Sequence, residues 1–474
     1  MRKAGLIRWG MIALLVAGGA CGFTDAAPTV VTVDSQAQRQ EFQGMGCGAI
    51  FYEAHITSLG VNGKSKEQEQ LYDAMFTDVR TNFLQLMIRH DHEPQNDNDD
   101  PYKQEFREAD FDYCKHPVAI AAAAKKRIPQ MKLYAVLYSP PGWMKTNGSE
   151  AGGGEARGTL KEGLELELAE YIWAFLVHMH QQKQSIDYLS IANEPDWPHE
   201  QPSYFLTTER HVALFSQVAG YLKEMHKRFP DVPQAKLVAP NSLSAVDAGK
   251  VLVPALLKAA NEEVDVIASH DYDRRGDRWK TLRALAGDRP LWQSECSYNA
   301  HDPSPGLIRS ASEYWLYMTE AFNDGVNVWH AYDWVYPPRQ GGEAMLHVDW
   351  GQAFHYTKIY HGFRQWCAPL EPGMRVVDSR VEGPAASGYS QPGVKASAFL
   401  KPDGSKLVVH VAAVQDSAVD VEIRVDKAFE NAVYRQWRTS EKEDIVVLPQ
   451  GRAQQGVIRM SLPGRGLWTV QLQR

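Results

Sequence analysis

Apolar residues in this chain fall into two alternating patterns. Short runs rich in Val, Ile, Leu and Ala at 42–49, 82–89, 132–139, 186–193, 236–240, 264–270, 290–295 and 325–330 read as eight buried strands. Stretches at 65–79, 160–182, 207–228, 252–262, 310–323 and 353–365 carry apolar residues at three- and four-residue spacing, as core-facing helices do. In one of these, Leu164, Tyr171, Ile172, Phe175, Leu176 and Met179 trace a single packing stripe. Strand and helix patterns that alternate in this way predict a parallel sheet with helical crossovers, and eight such units are most economically an α/β fold closed as a (β/α)8 TIM barrel.

After about residue 371 the helical period stops. Runs at 394–400, 406–413, 419–425, 432–439 and 467–472, separated by turns such as Pro402-Asp403-Gly404, predict a C-terminal β-sandwich. Residues 29–33 alternate like a strand ahead of the first barrel strand, and pairing with the C-terminal sheet would tie the two ends together. The expected division is an export signal at 1–26, a strand segment at 27–40, a catalytic barrel at 41–370 and a β-sandwich at 371–474. In the first segment Arg2, Lys3 and Arg8 precede an apolar run at 11–17, with small residues Gly18 and Ala20 after it. That run is too short to span a bilayer, so a secreted or periplasmic protein without a membrane span is expected, and Cys21 is a poor match to a lipid-anchor site.

The chain's 474 residues are enough for two or three domains at roughly 150 each. With 44% hydrophobic and 23% charged residues it can bury a sizeable core. A net charge of −8 offers no basic field for a phosphate backbone, so nucleic acid is not an expected partner. The cysteines Cys47, Cys114, Cys296 and Cys367 are too few for a disulfide scaffold and read as buried thiols, with room for one bridge. No His or Cys spacing suggests a metal, and the acidic run 96–100 reads as a solvated loop sooner than a Ca²⁺ site.

In a TIM barrel chemistry sits at the carboxyl ends of the strands. Two glutamates end apolar runs there: Glu194, in Asn193-Glu194-Pro195 after the fourth strand, and Glu295, after Ser294 at the end of the seventh. A carboxylate in such a place is costly unless paired, hydrogen-bonded or protonated, which favours a chemical role. Cleaving a glycosidic bond needs two carboxyls, one to protonate the leaving oxygen and one to attack or support the anomeric carbon.

Asn193-Glu194-Pro195 with a second glutamate on strand seven resembles the retaining barrel glycosidases. The run Tyr138-Ser139-Pro140-Pro141-Gly142-Trp143-Met144-Lys145-Thr146-Asn147-Gly148 narrows the resemblance to glycoside hydrolase family 30, which includes glucosylceramidases, β-1,6-glucanases and xylanases. Phe42-Gln43-Gly44-Met45-Gly46, Arg89, His270-Asp271-Tyr272 and Asp333-Trp334 fall where that family has similar residues. The resemblance implies Glu194 as general acid/base with a raised pKa and Glu295 as an ionised nucleophile supported by Arg89. It further implies Asn193 on the sugar 2-hydroxyl, Tyr272 on the nucleophile and His270 orienting sugar or loop. Trp143 and Trp334, with Trp329 as a third candidate that could equally be core, would be apolar walls for sugar faces. No cofactor and no metal is implied, and the partner is a carbohydrate bound by a monomer.

The chain also departs from the family. Where the family has a Ser, Asp and Phe segment whose aspartate grips outer hydroxyls, this sequence reads His90-Asp91-His92-Glu93, leaving Asp91, His92 and Glu93 as candidates. Val335 follows Trp334 where glucosylceramidases have asparagine, and Cys47 interrupts the glycine-rich first strand. The expectation is a retaining β-glycosidase acting on β-linked oligosaccharides, polysaccharides or glycoconjugates. A transglycosylase or a sugar-binding protein without catalysis on the same fold is the alternative.

Overall fold

The computed structural model describes residues 27–105, 107–298, 307–338 and 344–474. The expected export signal therefore lies outside the described residues. Eight parallel strands close into a barrel: β1 (Gly44–Ala49), β2 (Phe83–Ile88), β3 (Lys132–Leu137), β4 (Tyr188–Ser190), β5 (Lys236–Ser242), β6 (Val266–Ser269), β7 (Leu291–Cys296) and β8 (Val328–Ala331). Each of the eight apolar runs supplies one of them. Because side chains alternate along a strand, each run feeds two cores. Leu84, Leu86, Ile267 and Leu291 face the surrounding helices, whereas Phe83, Met87, Tyr134, Val136, Val266, Ala268 and Trp292 fill the bore. Trp292 lies edge-on to Phe83 at 5.1 Å and 4.6 Å from the Tyr188 ring, so an aromatic plug seals the barrel below the strand ends.

The glycines of β1 serve close approach. A Cβ on Gly46 would lie 2.3 Å from the His330 ring, and one on Gly48 would lie 2.0 Å from the Tyr332 carbonyl oxygen. Bare backbone here lets the end of β8 close against β1 and brings Tyr332 to the barrel mouth.

The C-terminal strands form one continuous nine-stranded sheet, mostly antiparallel, around a separate core that includes Val31, Val409, Ile423, Ile458 and Trp468. The strand Thr29–Glu41 lies inside this sheet, antiparallel to Arg375–Glu382 and parallel to Val419–Val425. Helices Ile308–Asn323 and Lys358–Cys367 join sheet to barrel. There the buried Trp366 stacks on His410 at 4.4 Å and Gln365 hydrogen-bonds Thr439 and Thr469. Cys47, Cys114, Cys296 and Cys367 are buried free thiols. Among the described residues no helix is long and apolar enough to cross a membrane.

Candidate active site

Backbone irregularities at the carboxyl ends of the strands determine what faces the bore. On β6 plain alternation carries Val266 and Ala268 inward and extends to His270. On β7 alternation alone would fail: Trp292 points in, so Glu295 should point out. A register shift between Gln293 and Cys296 against β8 reverses the parity, and Cys296 joins the outer core while Glu295 turns to the mouth. After β4, Glu194 adopts φ +44°, a left-handed conformation uncommon for a side chain of this size and typical of functional turns. Its N–H is held by the Asn241 carbonyl at 3.0 Å.

The result is a buried pair of carboxyls with a histidine between them. One ligating atom each from Glu194, His270 and Glu295 lie within 4.8 Å of one another. His270 Nδ1 is 2.7 Å from Glu194 Oε1 and 3.4 Å from Glu295 Oε1. The other Glu194 oxygen meets His199 Nε2. Glu295 receives Tyr272 O–H on Oε1 and Tyr138 O–H on Oε2, both at 2.9 Å. Both ring nitrogens of His270 face acceptors, because Nε2 lies 3.3 Å from Asn241 Oδ1. That oxygen also receives hydroxyls from Ser294 and Tyr134, while Asn241 Nδ2 donates to the Ala192 carbonyl. An imidazole with an acceptor at each nitrogen is furnished for two protons, which makes it a cation.

This cation sets the charges around it. Burial disfavours a charged His270, yet Glu295 and Glu194 outweigh burial and raise its pKa. Burial likewise pushes Glu194 up, but His270 and His199 overcome it and hold the carboxyl below its ordinary value. Glu295 is raised, by burial first, with Glu194 adding to the effect and His270 and the tyrosine hydroxyls opposing it. The expectation of a raised pKa at Glu194 is therefore not met in the free site, where the two histidines hold it below its ordinary value. The Glu194, His270 and Glu295 trio is close enough to hold a metal ion, but hydrogen-bond donors on all four carboxylate oxygens suit proton transfer.

Above the carboxyls opens a cavity of about 490 Å³. Phe51, Tyr138, Tyr272, Tyr332 and Tyr336 give it aromatic walls, and Asn193, His199 and Arg274 add polar groups. Glu194, Glu295, Asn193, His270 and Tyr272 are thus brought together, while four other sequence-based candidates lie elsewhere. Arg89 does not support Glu295: it pairs with Asp91 at 3.1 Å, lies 4.0 Å over the Tyr113 ring and feels the buried Glu53. These nearer partners capture it, and the interior polar residue of β2 is Gln85, 3.5 Å from Tyr138 O–H. Trp329 alternates outward from Val328 and packs on Tyr314 and Phe363 in the outer core. Trp334 is likewise fully buried, against Phe76 and Phe363. Trp143 is half-buried and donates its indole N–H to the Glu93 carbonyl at 2.9 Å, fastening the loop after β2 without lining the cavity.

Sequence reasoning missed Tyr138, His199 and Asn241. Tyr138 stood in the motif after β3, and alternation from Tyr134 and Val136 would have pointed it inward. Asn241 lies in β5 just beyond the predicted run 236–240, with φ +57°, and His199 lies on a loop, so neither carries a periodic signal.

A closed parallel barrel with two buried carboxyls facing each other at its mouth is the framework of a glycoside hydrolase, and comparison with known proteins agrees. Residues 89–232 match the family model described as Glycosyl hydrolase family 30 TIM-barrel domain. The chain is 26% identical over 321 residues to "Putative glucosylceramidase 2" of Caenorhabditis elegans, a match covering 60% of this chain and 57% of that relative's length. It is 23% identical over 416 residues to endo-1,6-beta-D-glucanase neg1 of Aspergillus fumigatus, covering 80% of each. The solved catalytic domain of family 30 xylanase C from Talaromyces cellulolyticus superposes with a TM-score of 0.74 at 16% identity, over 94% of this chain and 100% of that one. Residues 89–232 thus resemble the family 30 barrel domain, and the fold as a whole is that of the solved family 30 xylanase C.

Proposed function

We propose that the protein is a retaining β-glycoside hydrolase in which Glu295 attacks the anomeric carbon while Glu194 protonates the departing glycosidic oxygen, after which Glu194 takes a proton from the water that displaces Glu295 from the sugar. The observation that carries this reading is the approach of the two carboxyls: oxygens within 4.8 Å match the spacing of about 5–5.5 Å that lets one carboxylate attack directly, not the roughly 6.5–9.5 Å that accommodates a water. The partners of each acid divide the roles. Glu295 is held by two tyrosine hydroxyls whose own pKa values burial pushes well above 10, so they donate hydrogen bonds without giving up protons and favour a carboxylate. Glu194 is held by two histidines, which can pass it a proton and take one back. A sugar displacing water from the cavity weakens solvation of the histidine charges and favours moving a proton to Glu194.

The aromatic walls suit the apolar faces of sugar rings. Because the relatives are named as a glucosylceramidase, a β-1,6-glucanase and a xylanase, β-glucosides and β-xylosides are the substrates to try first. Glu295→Gln is expected to lower kcat by about 10⁴-fold or more, the scale seen when a nucleophile is removed. Glu194→Gln is expected to be slow on unactivated substrates and to recover on aryl glycosides with good leaving groups. NMR of the first product should show the β anomer; an α product, or full activity in both variants, overturns the reading.

A further inference from the structure

The catalytic cavity has a further feature that proton transfer does not use: a row of aromatic rings leaves it on one side. Tyr332 and Tyr336, after β8, line the cavity with ring centroids 6.0 Å apart. From Tyr336 the row continues to Tyr52 at 4.7 Å, from Tyr52 to His55 at 5.5 Å, and from His55 to Trp350 at 4.7 Å. Each ring meets the next at a steep angle, between 63° and 86°, so every member fixes the pose of its neighbour. Exposure grows outward: Tyr336 is buried, Tyr52 and His55 are half-buried, and Trp350 is 50% exposed. Burial lowers the His55 pKa, so near neutral pH its ring is uncharged and packs as an aromatic. Trp350 belongs to none of the hydrophobic cores, yet it is firmly held. It sits at the turn between the strands Ala344–Asp349 and Ala353–Tyr356, and that turn is fastened to the helix Glu53–Val61 and the residues after it. Gly351 N–H donates to Ser58 Oγ at 2.8 Å, and Lys64 Nζ donates to the Gln352 carbonyl at 2.6 Å. Gly351, at φ +62°, comes so close to Asn62 that a Cβ would lie 1.6 Å from its Nδ2. A tryptophan presented on a fixed turn, in line with rings that reach the catalytic cavity, has the rigidity that an aromatic binding surface needs.

We propose that Tyr336, Tyr52, His55 and Trp350 form a track for further sugar residues of a β-linked glucose or xylose chain, beyond the residue whose bond is cut. In the closed eight-stranded barrel the ends of β4 and β8 lie on opposite sides of the mouth, so the row leaves the cavity opposite Glu194. Given the reading of Glu194 as the acid that protonates the leaving oxygen, on which this track rests, the leaving group lies on the Glu194 side. The chain toward the non-reducing end then lies on the Tyr336 side. Aromatic faces cover the apolar faces of its sugars, and Asp349 and Gln352, exposed beside Trp350, meet their hydroxyls. The substrate is accordingly a chain and not a single terminal sugar.

The full chain is assayed on aryl β-glycosides of a monosaccharide and of a tetrasaccharide, in a β-1,6-linked glucose series and a xylose series. The aryl group takes the Glu194 side, so added sugars extend only toward the row. In at least one series kcat/KM is expected to be about tenfold or more higher for the tetrasaccharide glycoside. Trp350→Ala should lower that ratio by about tenfold, mainly through KM, and Trp350→Tyr should retain most of it. His55→Ala, which removes the ring that Trp350 abuts, should lower it in the same direction and decides should Trp350→Ala fail to fold. Equal kcat/KM for both lengths, or a ratio unchanged in the folded variants, overturns the track and leaves the catalytic pair standing. If the wild-type chain cleaves neither glycoside, the catalytic reading falls and calorimetry decides the track. Gentiotetraose or xylotetraose should then bind the full chain about tenfold more tightly than the Trp350→Ala chain, and no binding, or equal binding, overturns it.

Discussion

The barrel mouth and the outer face where the loop after β2 meets the helix Glu165–Gln181 each bury several carboxyls, yet treat them in opposite ways. At the mouth every oxygen of Glu194 and Glu295 has a donor, from His270, His199, Tyr138 or Tyr272. At the outer face Glu170 meets the carboxyl of Glu167, and Glu93 receives only a long bond of 3.4 Å from the Asp97 N–H. Burial alone raises a carboxyl's pKa in both places, and what it faces decides the outcome. Glu194 ends below its ordinary value, whereas burial and neighbouring acids push Glu170 up to about 9 and Glu93 up to about 8. Charged and hydroxyl donors keep a buried acid ionised; a second acid in their place leaves it holding a proton.

Four measurements test this contrast. The largest effect is expected from His270→Ala, which takes the imidazole from between Glu194 and Glu295. Removing one partner of a buried charge cluster costs about 3 kcal/mol or more, so kcat/KM should fall by about 10²-fold or further. Tyr138→Phe and Tyr272→Phe each remove a donor from Glu295. A hydrogen bond to a charged group contributes about 1.5–3 kcal/mol, which predicts losses of roughly ten- to a hundredfold. Because those hydroxyls oppose the upward shift of Glu295, the acid limb of kcat/KM should also move to higher pH; an unmoved limb would show that the tyrosines do not act on its charge.

His199→Gln removes one of the groups that hold Glu194 down. The Glu194 pKa then rises, and the alkaline limb should extend to higher pH; retreat to lower pH would contradict the role given to His199. The smallest effect concerns the outer acids. Their folded pKa values lie above the unfolded value of about 4.3, so the folded chain binds the extra protons and stability falls as pH rises from about 5 through about 9. Tm should decline over that window, less steeply in Glu170→Gln. A flat Tm would remove the contrast between the two regions.

The eight strands were legible because a strand buried on both faces is a continuous apolar run. Glu295 was legible as the acid that ends such a run, although the register shift that turns it inward has no signature in Gln293-Ser294-Glu295. His270 was named by resemblance, and its place two residues beyond Ala268 agrees with plain alternation. Trp329 could have been assigned correctly: adjacent to the inward Val328, it must face out. Arg89 could not, because the buried Glu53 that draws it lies on a helix 36 positions earlier in the chain. The outer acids left a readable trace. Glu167 and Glu170 lie at helical spacing from Tyr171 and Ala174, so they interrupt an apolar face with charge.

The strand Thr29–Glu41 is made before any part of the barrel, but both its neighbours belong to the last hundred residues. A ribosome would finish all eight barrel strands while this segment still lacked its mates, keeping an adhesive edge open throughout synthesis. Closure of the sheet comes last and locks the barrel from behind. A chain truncated before residue 419 should therefore be prone to aggregate, since its earliest strand would pair with Arg375–Glu382 alone and keep its other edge open.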